Sequence, residues 1–169
     1  MTSFHPFANL CAATAAASVL LAACGGGNDS DPTPSNEPGV LTVTASTLGG
    51  INGIYGNGAL NLTDVDKKNP IGAQPEVCSF KFDGANKVAA DTTAFGDIRY
   101  QPNANVLYAA FLTFSGKEYA IASSDNTVVA RDRDQVRFEN TAMTATDGSN
   151  NTIRVNGIVP MRTNRPAGC

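Results

Sequence analysis

The chain has 169 residues, a net charge of −3 and one histidine, His5. Its twelve basic side chains are scattered, with no run longer than Lys67-Lys68, and this excludes the concentrated basic face that nucleic-acid binding needs. His5 lies in an N-terminal segment that we predict below to be removed. The mature chain would therefore have no histidine for a Ser-His-Asp triad, a Cys-His pair or a His-ligated metal.

The N-terminal segment is apolar and built largely from small residues. Residues 8–23 have the length of a signal-peptide core, which is short for a membrane-spanning helix. The segment ends in Leu21-Ala22-Ala23-Cys24, which resembles the lipobox of bacterial lipoproteins, and the glycines that follow are typical of lipoproteins from Burkholderia-like bacteria. The resemblance implies that a signal peptidase removes residues 1–23 and that acyl chains on Cys24 anchor the protein to a membrane.

The residue after the lipidated cysteine predicts the destination. In lipoproteins resembling enterobacterial ones, an aspartate at that position favours the inner membrane, and here the residue is Gly25. We therefore expect a lipid anchor in the outer membrane, with the domain in the periplasm or at the cell surface.

A linker and a single domain follow the leader. Residues 24–39 comprise Cys24 and a stretch rich in Gly, Pro and acidic side chains, which predicts a disordered tether. Residues 40–169 leave about 130 residues for one domain, enough to bury a core without a metal.

The domain sequence consists of short runs of alternating apolar and polar residues separated by turn residues. In chain order we predict strands at 40–44, 53–62 (a glycine-rich strand or hairpin), 77–82, 106–123 (a hairpin), 127–130, 135–145 and 151–161, with a loop over 63–75. No stretch after the leader has the period of an amphipathic helix. The pattern predicts an all-β fold, a single antiparallel β-sandwich or small β-barrel.

The hairpin over 106–123 has the clearest pattern. Ser115-Gly116 suits a two-residue turn. Pairing around that turn places two apolar sets on opposite faces, the first of Ala110, Leu112, Phe114, Tyr119 and Ile121, the second of Ala109, Phe111, Ala120 and Ala122. Since both faces are apolar, we expect this hairpin to be central and covered on both sides.

Two cysteines are left after Cys24 is lipidated and the leader is removed. Cys78 and Cys169 form an even pair, and outside the cytoplasm such a pair usually oxidises. We therefore predict a Cys78–Cys169 disulfide. The alternative is two free thiols, but no histidine is present to activate either one.

Two close acidic pairs are the only candidates for a metal site. Asp64 and Asp66 form one pair, while Asp132 and Asp134 alternate with arginines in the other. Calcium loops need more oxygen ligands than either pair supplies. We predict no metal, no cofactor and no catalytic residue.

One further pattern resembles a known family. An early-strand cysteine, Ser115-Gly116 with Tyr119 three residues on, and a C-terminal cysteine resemble the layout of membrane-bound lysozyme inhibitors, in which a Ser-Gly loop enters the lysozyme cleft. That resemblance implies a possible binding turn at Ser115, Gly116 and Tyr119.

Three functions follow from the sequence. The first is a non-enzymatic envelope lipoprotein whose β domain is a structural or binding module, attached to the membrane by its lipid and open to an envelope protein partner. The second is the inhibitor-like protein that binds a hydrolase. The third is a glycan hydrolase that uses two carboxylates, since strands can bring distant acids together.

Overall fold

The computed structural model describes residues 31–84 and 94–169, which form one antiparallel sheet of 11 strands. The leader and Cys24 lie outside the described residues. The strands are β1 Val40–Thr44, β2 Gly53–Tyr55, β3 Asn61–Leu62, β4 Asp66–Lys68, β5 Val77–Asp83, β6 Ala94–Tyr100, β7 Leu107–Phe114, β8 Lys117–Ile121, β9 Thr127–Ala130, β10 Gln135–Ala145 and β11 Thr152–Pro160. A three-residue 3₁₀ turn at Arg131–Arg133 is the sole helical element among these described residues, so the all-β prediction is confirmed.

The sheet curls into a half-barrel. Its strand order is β2-β1-β11-β10-β8-β7-β6-β5-β3, with β4 also paired to β5 and β9 paired to β10. The run from β5 to β8 is a meander in which each strand pairs with the next along the chain. The N-terminal β1 instead joins β11, and this long-range pairing brings the two ends of the domain together.

The core fills the concave face of the half-barrel. Strand alternation places one apolar set inside, as in β7, where Ala110, Leu112 and Phe114 are fully buried. The largest fully buried side chains include Tyr55, Phe80, Ile98, Tyr100, Tyr119 and Met143. The predicted alternation of Cys78, Phe80 and Phe82 in β5 is confirmed, because all three are buried.

Two local predictions are wrong. Residues 53–62 do not form one strand or hairpin: β2 pairs with β1, whereas β3 pairs with β5 at the other edge of the sheet. The predicted loop over 63–75 contains β4, which adds to β5. No element is predicted over β6, which pairs with β5 and β7, its neighbours in the chain. A distant partner explains only the first error, in which β3 pairs with β5 instead of β2.

The hairpin of β7 and β8 has the predicted turn and register. Ser115 and Gly116 both have positive φ angles, 50° and 78°, as a type I′ turn requires. Phe114 pairs with Lys117 and Leu112 with Tyr119. The expectation of cover on both faces is wrong, because Phe111 is only half-buried and Ala122 is exposed on the convex face.

The C-terminal segment, residues 161–169, crosses the end of the half-barrel at which β11 finishes. The amide of Met161 donates to the Asp134 carbonyl, and Arg162 Nε donates to the Leu62 carbonyl at the far edge of the sheet. The predicted disulfide then joins Cys169 to Cys78 in β5, with 5.7 Å between the Cα atoms. The segment thus links the two sides of the open sheet.

The described part of the predicted linker contacts the domain. The amide of Ser35 donates to Thr42 Oγ1, and the amide of Gly39 donates to the Ile158 carbonyl. Thr42 points away from the core but is completely buried. Residues 31–39 therefore lie along the convex face of β1. Across 31–84 and 94–169, no helix has the length and apolar character needed to cross a membrane.

Candidate functional site

The convex face of β5 to β8 carries an open groove of about 750 Å³. Its lining includes Lys81, Asp83, Phe95, Asp97, Phe111 and Glu118. Most of these side chains belong to the outward-facing set of the meander, opposite the core set. The groove therefore lies partly on the outward face of the β7–β8 hairpin, which we expected to be covered.

Cross-strand pairing arranges these residues in two rows. In the first row, Lys81 pairs with Asp97, which pairs with Phe111. The second row runs Asp83, Phe95, Thr113 and Glu118 across the four strands β5 to β8. Directly paired residues on one face lie about 4.5–5.5 Å apart at Cβ. Each row therefore brings an aromatic ring next to charged side chains.

Arg99, which lies beside the first row, contacts two of its members. Its guanidinium donates two hydrogen bonds to Asp97, from Nε to Oδ1 at 3.2 Å and from Nη2 to Oδ2 at 2.9 Å. The guanidinium carbon also lies 5.5 Å from the centre of the Phe111 ring, within the range of a cation–π contact. The hydrogen bonds to Asp97 raise the pKa of Arg99. Arg99 therefore stays charged and fixes both Asp97 and Phe111.

The two aromatic rings supply the apolar part of the groove. Phe95 is 42% exposed, and Phe111 is half-buried beneath Arg99. Large apolar side chains are usually buried, so an exposed phenylalanine beside a half-exposed one makes this groove the candidate contact surface. Charged groups border both rings. The groove is suited to a ligand that has an apolar surface and hydrogen-bonding groups at its edges.

The three residues of the predicted binding turn differ in their exposure to solvent. Ser115 and Gly116 are exposed at the tip of the hairpin, but Tyr119 is fully buried in the core. The Ser115 hydroxyl lies 3.3 Å from the Tyr55 hydroxyl, which in turn donates to the Ile51 carbonyl. The turn can present Ser115 and Gly116 to a partner, but it does not present Tyr119.

In each close acidic pair, at least one aspartate lies next to an arginine. Asp134 Oδ1 is 2.7 Å from Arg165 Nη2, and Asp64 Oδ1 is 3.6 Å from Arg162 Nε. Within residues 31–84 and 94–169, no group of three His, Cys, Asp or Glu side chains is placed to hold a metal ion. Cys78 and Cys169 are joined in the disulfide.

The groove is not among the predicted sites, although strand β6 carries a sequence signal for it. Strand β6 alternates Phe95, Asp97 and Arg99 on its outward face with core residues between them. An outward set that mixes a phenylalanine with charged residues is the pattern from which this candidate surface could have been predicted.

No protein-family model, curated protein or solved structure matches this chain.

Proposed function

We propose that this protein is an outer-membrane lipoprotein, anchored through Cys24, whose β domain is a non-enzymatic binding module. The groove on the convex face of β5 to β8 is the binding surface. The observation that carries the proposal is the exposed Phe95 beside the Arg99–Phe111 stack, with charged side chains around both.

The chemistry of the groove favours a protein partner in the envelope. Protein interfaces concentrate binding energy in a few aromatic and arginine side chains surrounded by a polar rim. Phe95, Phe111 and Arg99 supply such a centre, and Lys81 and Asp83 lie at its border. A partner that places an apolar side chain on Phe95 and polar groups against the border fits this arrangement.

Two contacts support a binding role over carboxylate-dependent hydrolysis. Asp97 accepts both hydrogen bonds from Arg99, and Glu118 accepts a hydrogen bond of 3.0 Å from the Thr146 hydroxyl. A glycosidase needs two carboxyl groups that face the glycosidic bond. Here Asp97 is engaged by the guanidinium of Arg99, and Glu118 by a hydroxyl of the same domain.

The groove also fits better than the hairpin turn as the contact surface. Burial of Tyr119 leaves only Ser115 and Gly116 at the turn, and Ser115 is already within hydrogen-bonding distance of Tyr55. Two small side chains give little area for an anchor, whereas the groove contains two aromatic rings.

Site-specific photo-crosslinking in intact cells tests this proposal. A photoreactive phenylalanine analogue at Phe95 places the probe in the groove, and the same analogue at Val128 is the matched control. Val128 is 41% exposed, like Phe95 at 42%, but it lies on β9 outside the groove. We expect an adduct with one envelope protein from residue 95 and none from residue 128.

The identity of the adduct separates the alternatives. Equal adducts from both positions, or none from either, would contradict the groove as a binding surface. An adduct with a lysozyme-type hydrolase would support the alternative hypothesis that the protein is a hydrolase inhibitor. Release of sugar from peptidoglycan by the purified protein, lost in Glu118→Gln, would establish the hydrolase.

A further inference from the structure

The sequence contains three asparagines that are followed directly by glycine: Asn52, Asn57 and Asn156. Asparagine is one of the less stable side chains, because the backbone nitrogen of the next residue can attack its carboxamide carbon. Glycine in that next position leaves the nitrogen unhindered, since it has no Cβ and adopts the conformations that the attack requires. The three steps are chemically alike, so the fold decides which of them can react.

Asn52 is fixed through both its side chain and the glycine that follows it. Its Oδ1 accepts a hydrogen bond of 2.9 Å from the amide of Ser46, and its Nδ2 donates one of 2.7 Å to Asp31 Oδ1. Gly53, which would supply the attacking nitrogen, begins β2 and pairs with Val43 in β1. Attack would therefore disturb two side-chain hydrogen bonds and the pairing of a strand.

Asn156 lies in β11, which has a partner strand on each side. Its Oδ1 accepts a hydrogen bond of 2.8 Å from the amide of Asn140. Gly157 is buried and pairs with Leu41 in β1 and with Phe138 in β10. Rotation of the Gly157 backbone into an attacking position therefore requires the sheet to open locally.

Asn57 differs from the other two asparagines in its surroundings. It is exposed and lies in the connection between β2 and β3. Its Oδ1 accepts a hydrogen bond of 3.1 Å from the amide of Ala59, and this donor would stabilise the negative charge that develops on the oxygen during attack. The amide of Gly58 donates to the Gly39 carbonyl at 3.3 Å, longer than the usual value of about 2.9–3.0 Å. Attack by Gly58 therefore has to break one long hydrogen bond rather than a strand pairing.

We propose that Asn57 is a site of spontaneous deamidation in the folded protein. The Gly58 nitrogen gives up its proton to the solvent and forms a bond to Asn57 Cγ, the Cγ–Nδ2 bond breaks, and ammonia leaves with a proton from the solvent. Water then opens the resulting succinimide at either carbonyl, which leaves aspartate or isoaspartate at residue 57. The net reaction consumes one water and releases one ammonia, without oxidation or reduction.

The product changes the charge of the segment that joins the two edges of the sheet. Residues 56–60 run from β2 at one edge to β3 at the other. The new carboxylate adds a negative charge next to Gly58, against which the Glu37 carboxylate already lies. Glu37 Oε1 is 2.9 Å from the position that a Cβ at Gly58 would occupy. The modified protein is therefore more acidic than the native one and separable from it by ion exchange.

Peptide mapping by mass spectrometry tests the proposal. The purified protein is kept in mildly alkaline buffer, which favours loss of the amide proton, and a protease that cleaves after Tyr55 places Asn52 and Asn57 on different peptides. We expect deamidation at residue 57 to be about tenfold faster than at residues 52 and 156, because those two react only after local opening of the sheet. In protein unfolded by guanidinium chloride, the three asparagines should react at similar rates.

Two variants assign the acidic form to its residue. Asn57→Gln keeps a carboxamide at the exposed position but would have to close a larger ring, so it should remove the acidic form that ion exchange resolves in aged protein. Asn52→Gln is the matched control and should leave that form unchanged. Equal rates at the three asparagines of the folded protein would overturn the proposal. Reaction of Asn57 in the unfolded protein but not in the folded one would also overturn it, since the hydrogen bond to Gly39 would then protect the site.

Discussion

The ring of Phe82 occupies the space that a side chain at Gly96 would fill. The two residues pair directly across β5 and β6, on the core face of the sheet. A Cβ atom at residue 96 would overlap the Phe82 ring and lie 2.9 Å from Leu112 Cδ2. The glycine therefore leaves room for an aromatic ring on the strand behind the groove.

We predict that Gly96→Ala destabilises the domain. The added methyl group overpacks a closed core, and such changes typically cost about 1–3 kcal/mol. Gly49→Ala is the matched control, because no atom lies within 4 Å of its Cβ position and its φ is not in the left-handed region. Urea unfolding of both variants measures the effect. Equal stability of the two variants would show that Phe82 relaxes without cost.

Removal of the disulfide should destabilise the domain more strongly. The bond closes a loop with a sequence separation of 91, for which the chain-entropy model gives about 4–5 kcal/mol as an upper value. The paired substitution Cys78→Ser with Cys169→Ser also frees the C-terminal segment, whose last carbonyl accepts a hydrogen bond from Tyr100 at 3.0 Å. Thermal unfolding with and without reductant provides the measurement. An unchanged midpoint in both experiments would contradict this role.

The Lys117–Asp147 ion pair predicts an acid-sensitive contribution to stability. Hydrogen bonds from Lys117 and Ser149 lower the pKa of Asp147 well below its ordinary value near 3.9. A lowered carboxyl pKa stabilises the folded state above about pH 4, and this contribution is lost as the pH falls through the folded-state pKa. Asp147→Asn should therefore be less stable than the native protein at pH 7, by an amount that shrinks in acid.

A titration of the Asp147 carboxyl by NMR measures the pKa itself. In Lys117→Gln the pKa should rise toward its ordinary value, since the larger of the two causes has been removed. High salt should raise it as well, because the pair is exposed and salt screens such charges. An ordinary pKa in the native protein would refute the ion pair.

The sequence predicts a strand well where apolar and polar residues alternate clearly and turn residues flank the run. The turn at Ser115-Gly116 and the alternation in β5, β7 and β10 are local properties, so their positions follow from the residues themselves. Strand β6 was missed because Gly96 and Asp97 are poor strand formers. Only the Phe82 ring on the neighbouring strand explains the glycine at that position.

The candidate site was less predictable, for a related reason. Ala109, Phe111 and Ala120 are apolar, and alternation correctly assigns them to one face. Whether that face is covered depends on which other segment packs over it, and local sequence does not contain this information. The same limit applies to β2 and β3, which lie at opposite edges of the sheet although five residues separate them.

Lipidation at Cys24 stays a prediction from the lipobox, because that residue lies outside the described part of the chain. Mass spectrometry of the membrane-extracted protein should show an N-terminal cysteine that carries acyl chains. Cys24→Ala should release the protein from the membrane fraction, since several acyl chains are needed for a stable anchor. Recovery of a soluble native protein with an unmodified Cys24 would contradict the predicted lipidation.

The last prediction concerns Arg99, which connects the polar and aromatic parts of the groove. Arg99→Lys keeps the charge but loses the planar fork that bonds both oxygens of Asp97 and stacks on Phe111. Because the side chain lies on the convex face, we expect the unfolding free energy to change by less than about 1 kcal/mol. Partner binding should nevertheless weaken about tenfold, since the Phe111 ring and the Asp97 carboxylate are no longer held in one arrangement.

The measurement compares capture of the partner identified by crosslinking at residue 95. Arg137→Lys is the matched control, because Arg137 also pairs with an acidic residue two positions away on its own strand, with 2.8 Å between its Nη2 and Glu139 Oε1, but lies outside the groove. Binding that falls in Arg99→Lys and not in Arg137→Lys assigns the effect to the groove. Equal binding by both variants and the native protein would show that partner binding does not depend on the Arg99–Phe111 contact. That result would contradict the proposal that these residues form the centre of the binding surface.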